Sequence, residues 1–182
     1  MKATIDKGLK LLRKESGFTL IEMLIVVIVL GILAMIIIPQ VAVSTEDAKL
    51  NTLSTNLSAL RNAVELYYHQ HDSKYPGATK HTDGTATASD AEAIAAIVPQ
   101  LTRFTDVDGQ TADTKGGDFI YGPYLKKQTL PTNPYNNKSD VTADFDEADI
   151  TVRSSAGQDF GWKFYPVTGV LIAADNGAHD NL

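Results

Sequence analysis

The pattern of hydrophobic and polar residues opens with one long apolar stretch. From Phe18 to Ile38 run 21 residues in which Glu22 is the only charge. A helix of that length rises about 1.5 Å per residue, so it is roughly 30 Å long and matches the hydrocarbon core of a bilayer. This stretch therefore predicts one membrane-spanning helix.

After Ser44 the pattern becomes amphipathic. Apolar residues recur at alternating spacings of three and four, which places them on one face of a helix. They are Leu50, Leu53, Leu57, Leu60, Val64 and Tyr67. The stripe lasts for fewer than three heptads, so packing on a sheet of the same chain is favoured over a coiled-coil seam. We predict that the first helix continues to about His71 and breaks near Pro39, where the ring removes an amide N–H.

The rest of the chain predicts a short helix and several strands. Ser89 and Glu92 have the spacing of a capping box, and Pro99 is expected to end the helix that they open. β-Branched and aromatic residues then predict strands at 150–152, 161–165 and 170–173, with a hairpin turn at 166–169. The predicted fold class is α+β, with the long N-terminal helix packed on a small antiparallel β-sheet.

The distribution of charge predicts the orientation of the chain. Residues 1–17 carry five basic and two acidic residues, a net charge of +3, which leaves 11 basic and 20 acidic residues, a net charge of −9, for the remainder. Basic flanks stay in the cytoplasm, so the acidic part is expected outside it. An acidic exported domain offers no electrostatic footprint for nucleic acid. The chain contains no cysteine, so its core must be stable without disulfides.

A specific motif lies between the basic segment and the apolar stretch. Lys14-Glu15-Ser16-Gly17 is followed by Phe18-Thr19-Leu20-Ile21-Glu22. An ordinary secretory signal would carry its small residues after the apolar stretch. The junction resembles the leader junction of type IV pilins and of the pseudopilins of type II secretion systems. The resemblance implies that a prepilin peptidase cuts between Gly17 and Phe18, and that the new terminal Phe18 is N-methylated.

Two later runs resemble the major pseudopilins, the protein G family of type II secretion. They are GPYLKKQTLPTNPYN and GWKFYPVTGVLIAADNG, and they leave the loops at 77–118 and 137–149 unmatched. The resemblance implies a pilin-like structural subunit, without enzymatic activity, that polymerises into a helical pseudopilus for protein export. A type IV pilus subunit for adhesion, motility or DNA uptake stays open as an alternative. A monomeric membrane-anchored binding domain is the alternative from another class.

The same resemblance implies the organisation and partners of the chain. Residues 1–17 would be a cleaved leader, 18–44 the transmembrane and filament-core helix, and 45–182 a periplasmic globular domain. The subunit would span the bacterial inner membrane once, with its N-terminus in the cytoplasm. Its partners would be further copies of itself, the prepilin peptidase, minor pseudopilins and the inner-membrane assembly platform.

Three residues of the apolar helix are candidates for assembly. An unpaired carboxylate in hydrocarbon is costly, and cleavage would leave a protonated amine on Phe18, four residues before Glu22 on the same helix face. Glu22 is therefore predicted to pair with its own terminus or a neighbour's, with snorkelling near the interface as the alternative. By resemblance, Gly31 and Pro39 bracket a segment that melts when subunits pack, although each could also be a tolerated kink.

Candidate metal ligands are weak. Zinc would need histidines and aspartates near the end of the first helix, and solvated loop side chains are favoured instead. Those residues are His69, His71, Asp72, His81 and Asp83. Asp106, Asp108 and Asp113 faintly resemble a calcium loop but lack its twelfth-position glutamate. We predict no cofactor, with calcium left open at this loop and at the short tail from Asp175 to Asp180.

Overall fold

The computed structural model describes residues 17–182, without the side chains of Pro39 and Ala42. The predicted leader, apart from Gly17, lies outside the described residues. Within them the elements are α1 (Leu20–Gln70), α2 (Asp90–Thr102), β1 (Phe104–Thr105), β2 (Thr111–Ala112), β3 (Val141–Ala143), β4 (Asp159–Tyr165) and β5 (Val170–Asp175). The chain divides into two compact units, Met1–Thr45 and Glu46–Leu182, and α1 belongs to both.

The N-terminal part of α1 carries the apolar stretch. Among residues 17–182, α1 is the one helix that is long and apolar enough to cross a membrane. It runs without interruption through position 39, so the predicted break near Pro39 is wrong for this structure. A proline removes a single amide donor, and the helical hydrogen bonds on either side of it can hold the helix together.

The main sheet of the second unit has the order β3-β4-β5. β4 and β5 are antiparallel, with Trp162 opposite Ala173, which confirms the predicted hairpin. Gly169 closes its turn at a φ of +73°, where an added Cβ would clash with the ring of Tyr75. The predicted α+β fold class is confirmed, although β3 runs parallel to β4, so the small sheet is mixed rather than antiparallel throughout.

The strand predicted at 150–152 is also wrong. These residues lie in a turn and an irregular segment, and the side chain of Ile150 is 63% exposed. The place beside β4 is taken by Val141, Thr142 and Ala143, all of which are buried. Burial beside β4 therefore selected 141–143 over 150–152, although both segments contain β-branched residues.

The core lies between the sheet, α2 and the second part of α1. Its fully buried large side chains come from all three layers. They include Leu53, Leu57, Leu60, Tyr67, Ile97, Leu101, Trp162 and Phe164. The predicted stripe on α1 is confirmed from Leu53 to Tyr67, whereas Leu50 is 39% exposed and makes no part of the core.

The capping box of α2 is confirmed, but the predicted end of the helix is not. Ser89 Oγ accepts a hydrogen bond from Glu92 N at 3.4 Å, and Glu92 Oε2 accepts one from Ala88 N at 2.8 Å. The helix passes through Pro99 and ends at Thr102. Gln100 and Leu101 are fully buried beyond the proline, so their burial and hydrogen bonding stabilise the last turn.

One histidine lies in this core. The His71 ring stacks on Tyr67, with Nδ1 2.8 Å from the Tyr67 carbonyl and Nε2 2.9 Å from Thr105 Oγ1. Burial lowers its pKa. The expectation of a solvated loop histidine is therefore wrong for His71, because its ring joins the end of α1 to β1.

The helix stripe is expected to dominate the stability of the second unit. Leu57 is 1% exposed and Leu66, on the same helix, is 50% exposed. Truncating a buried leucine typically costs about 2–5 kcal/mol, so Leu57→Ala should lower the free energy of unfolding by that amount, and Trp162→Ala should also destabilise. Urea denaturation of the soluble fragment 45–182 measures both.

Leu66→Ala is the matched control, because it removes the same atoms from a half-exposed site and should cost much less. Reducing agent should change nothing, since there is no cysteine. Equal midpoints for the Leu57 and Leu66 variants would contradict the assignment of the buried face.

Candidate processing and assembly site

The candidate site is the beginning of α1. Thr19 directly precedes the first helical residue and closes a ring of hydrogen bonds with Glu22. Glu22 Oε2 accepts hydrogen bonds from Thr19 N and Thr19 Oγ1, both at 2.7 Å, and Glu22 N lies 3.3 Å from Thr19 Oγ1. This is the reciprocal arrangement of a capping box, in which a threonine and a glutamate three residues later satisfy free amides of the first turn.

The capping box gives the Glu22 carboxylate partners within its own subunit. The first turn of a helix also carries partial positive charge, which favours an anion there. The carboxylate is therefore hydrogen-bonded before any other chain arrives, and both it and Thr19 remain exposed to a partner.

Sequence reasoning missed the role of Thr19. The Thr-x-x-Glu spacing that would have revealed it is the same signal that located Ser89 and Glu92 at α2. In the apolar context, Glu22 was interpreted as a charge in need of a cation. The structure shows that it is also a cap.

The residues around the predicted cleavage point are accessible. Phe18 is 85% exposed, and a Cβ added to Gly17 would meet nothing within 4 Å. Both residues precede the helix and are not part of its regular hydrogen bonding. A non-helical, exposed segment leaves its backbone open to a peptidase.

Gly31 and Pro39 are not brought to this site. They follow Glu22 by about 14 Å and 26 Å along the helix axis. A Cβ at Gly31 would meet nothing within 4 Å. Their predicted role in local melting stays a prediction.

Among residues 17–182, the large apolar side chains of the first unit are exposed. The large ones from Leu20 to Val43 are between 48% and 89% exposed. A contiguous apolar surface of this size needs lipid or neighbouring protein around it.

Each aspartate of the candidate calcium loop contacts a different partner. Asp106 Oδ1 accepts a hydrogen bond from Gln110 N at 2.8 Å, and Asp108 lies 3.9 Å from Lys74 Nζ. Asp113 pairs with Arg103 at 3.3 Å. Across residues 17–182, no group of three or more histidine, aspartate or glutamate side chains is placed to hold a metal ion.

Two buried acceptors have no hydrogen-bond partner among the described residues: Gln158 Oε1, just before β4, and Asp175 Oδ1, the first residue of the C-terminal tail. The second oxygen of Asp175 is 2.5 Å from His179 Nδ1, and Asp180 accepts hydrogen bonds from Ser155. Calcium takes six to eight oxygen ligands, so this donor set does not fit it.

Comparison with known proteins agrees with the N-terminal motif. A profile described as the Prokaryotic N-terminal methylation motif matches residues 12–38. Type II secretion system core protein G of Pseudomonas aeruginosa is 30% identical over 125 residues, which cover 69% of this chain and 71% of that protein. The chain belongs to the family of type II secretion system core protein G. The resemblance drawn from the junction and from the two later runs is thereby confirmed.

Other relatives differ in how much of the chain they match, which distinguishes the pseudopilin resemblance from the type IV pilin resemblance. The core protein G of Vibrio cholerae is 28% identical over 144 residues, 79% of this chain and 82% of that protein. The Type IV major pilin protein PilA of Myxococcus xanthus is 41% identical over only 59 residues, 32% of this chain and 27% of that protein. The core protein G family thus accounts for more of the chain than the pilin does. No solved structure matches this chain.

Proposed function

We propose that this member of the core protein G family is a structural subunit that polymerises into a helical type II secretion pseudopilus, which exports proteins across the outer membrane. The observation that carries the proposal is the capping box of Thr19 and Glu22, directly after Gly17 and Phe18, at the head of an uncovered apolar helix. A bundle of such helices would cover the apolar surface that the isolated subunit leaves exposed.

Processing would come first. A prepilin peptidase would cut between Gly17 and Phe18, and Phe18 would then be N-methylated. The exposure of Phe18 and the open space around Gly17 support access to this bond. Cleavage would also place a protonated amine four residues from Glu22, since the amino terminus of a peptide ordinarily has a pKa of about 8.

Assembly would then exchange one partner of Glu22 for another. In the isolated subunit its carboxylate accepts hydrogen bonds from Thr19. In the filament it would pair with the amine of Phe18, of its own chain or of a neighbour, and a pair between chains would fix their axial register. Gly31 and Pro39 would allow the helix to adjust as it packs.

The partners and location follow from the same proposal. The subunit would be anchored once in the bacterial inner membrane, with its N-terminus cytoplasmic and residues 45–182 periplasmic. It would meet minor pseudopilins and the assembly platform there. A type IV pilus subunit is the second candidate, favoured by the match to the Myxococcus pilin.

The test is to express the full chain in a type II secretion strain that lacks its own core protein G. We expect restored secretion and filaments that can be sheared from the cells and seen by electron microscopy. Filaments in a pilus-deficient strain, without restored secretion, would favour the pilus subunit. A processed chain that forms no filament in either strain would favour the monomeric anchored domain.

We also propose that folding needs no metal. Gln158 and Asp175 offer too few free oxygens for calcium, and the loop at Asp106 uses its carboxylates elsewhere. The melting temperature of fragment 45–182 should therefore be the same in calcium and in EDTA. A rise of several degrees in calcium would contradict this and would place a site at one of these two segments.

A further inference from the structure

An acidic segment lies at the beginning of α2. It consists of Asp144, Asp146, Glu147 and Asp149 in the connection between β3 and β4. Phe145 N donates a hydrogen bond to Asp90 Oδ1 at 2.7 Å, and the Phe145 side chain packs against the core. The acidic segment is thereby fixed beside the first residue of the helix.

The carboxylates of this segment have little positive charge around them. Asp144 lies 3.5 Å from Lys163 Nζ. Asp149 accepts hydrogen bonds from Thr151, which lower its pKa, and Asp146 is exposed. Within residues 17–182, Lys163 is the one cation that pairs with the acidic segment.

A basic groove lies at the other end of α2. Tyr124 N and Leu125 N both donate to the carbonyl of Leu101, at 3.0 and 2.9 Å, which anchors the following Lys126 and Lys127 at the helix C-terminus. An open cavity of about 410 Å³ lies here, and Lys126 is part of its lining. It is lined by Thr102, Arg103, Phe104, Asp113, Pro123, Lys126 and Gln128.

Lys126, which lines the groove, and the adjacent Lys127 carry free charge. Both are exposed, and the ion pairs among residues 17–182 use other cations. Those cations are Lys74, Lys80, Arg103, Lys138, Lys163 and His179. Lys126 and Lys127 are therefore available to carboxylates from outside the subunit.

α2 holds the two charged surfaces apart. Its 13 residues give about 18 Å between the first and last residues, which is too far for the acidic segment to reach the groove of its own subunit. Two different surfaces that complement each other in charge form a head-to-tail contact, and a contact of this kind repeats from copy to copy.

We propose that the acidic segment of one subunit docks in the basic groove of the next copy of this chain. The inference rests on the proposed function, because it assigns a contact between neighbouring subunits of the filament. A second copy is the occupant that charge favours. Residues 18–182 carry a net charge of −9, so most faces of two copies repel each other, whereas the groove presents positive charge to the acidic segment. This pairing replaces repulsion by attraction at one relative position, and so selects a register.

Crosslinking in the full chain tests the contact, since no native cysteine interferes. A chain with both Lys126→Cys and Asp146→Cys, treated with a bis-maleimide in filament-forming cells, should give a ladder of multimers. Each single variant should give none. The matched control pairs Lys126→Cys with Asp83→Cys, an exposed aspartate outside the acidic segment, and should also give no ladder.

Charge reversal tests the same contact without a crosslinker. Lys126→Glu and Asp146→Lys should each lower the yield of sheared filaments at least about fivefold, and the double variant should restore it. Both side chains are exposed, so the melting temperature of fragment 45–182 should not change in either variant.

The outcomes separate this inference from the proposed function. Wild-type filaments with no ladder and no effect of charge reversal would overturn the contact and leave the subunit role standing. Dimers without higher multimers would show a two-fold contact and would also overturn it. A wild-type chain that forms no filaments would overturn the proposed function and this inference together.

Discussion

Glu22→Leu should abolish filament formation while insertion and cleavage proceed normally. Leucine increases the apolar character of the helix, so insertion into the membrane is not impaired. The substitution removes the carboxylate that caps α1 with Thr19 and that would pair with a Phe18 amine. Without that pair, a shift of one helical turn changes apolar packing little and nothing fixes the register. Shearing and immunoblotting measure the filament yield.

Two control variants separate the charge from the cap. Thr19→Ala removes the threonine hydroxyl but keeps the carboxylate and the Thr19 amide, so filaments should form at near the wild-type yield. Glu22→Gln keeps the shape and loses the charge, so it should fail as leucine does. Co-expression of Glu22→Leu should also reduce the yield from wild-type subunits. Normal filament yield from Glu22→Leu would falsify the assembly role.

Gly17→Val should leave a full-length precursor held in the membrane. Valine adds a branched side chain immediately before the predicted scissile bond, where a peptidase must approach the backbone closely. A Cβ at Gly17 meets nothing within 4 Å, so the substitution should not disturb the described fold. Intact-mass spectrometry should show the precursor for the variant, and a chain beginning at methylated Phe18 for the wild type.

Gly17→Ala is the matched control for processing, because it adds one methyl group and should still be cleaved, at a reduced rate. A wild-type N-terminus located beyond the apolar stretch would show that an ordinary signal peptidase cleaves the chain. That result would remove the basis for assigning Gly17, Phe18 and Glu22 to processing and assembly.

Hydrophobic periodicity correctly predicted the elements that bury one regularly spaced apolar face. The α1 stripe from Leu53 to Tyr67 and the β4–β5 hairpin agree with it, since their apolar residues contact each other in a single core. Leu50 has the same spacing and is exposed. Spacing places a residue on a face, but it does not say where the packing partner begins.

The differences arise where tertiary contacts outweigh local preference. Burial of Gln100 and Leu101 extends α2 past Pro99, and packing beside β4 selects 141–143 over 150–152. The position of His71 near the end of the first helix predicts a solvated side chain, yet its ring bonds to Thr105, 34 residues away. Single-sequence patterns carry no information on such partners.

At the candidate site the sequence supplied the residues, and the structure supplied one relation between them. Gly17, Phe18 and Glu22 follow from the motif. The hydrogen bonds from Thr19 to Glu22 depend on where the helix begins, and the apolar character of the stretch concealed that position.

The packing of α1 against the C-terminal sheet determines when the second unit can fold during translocation of the chain. Arg61 Nη2 donates to the carbonyl of Leu171 at 2.9 Å, a contact that spans 110 residues, and the leucines of α1 share a core with Trp162 and Phe164. On the proposed topology, the N-terminal helix enters the membrane first, and the strands that pack on it reach the periplasm last. The domain therefore cannot mature while its chain is still being translocated, and a truncated subunit would never present a finished surface to the growing polymer.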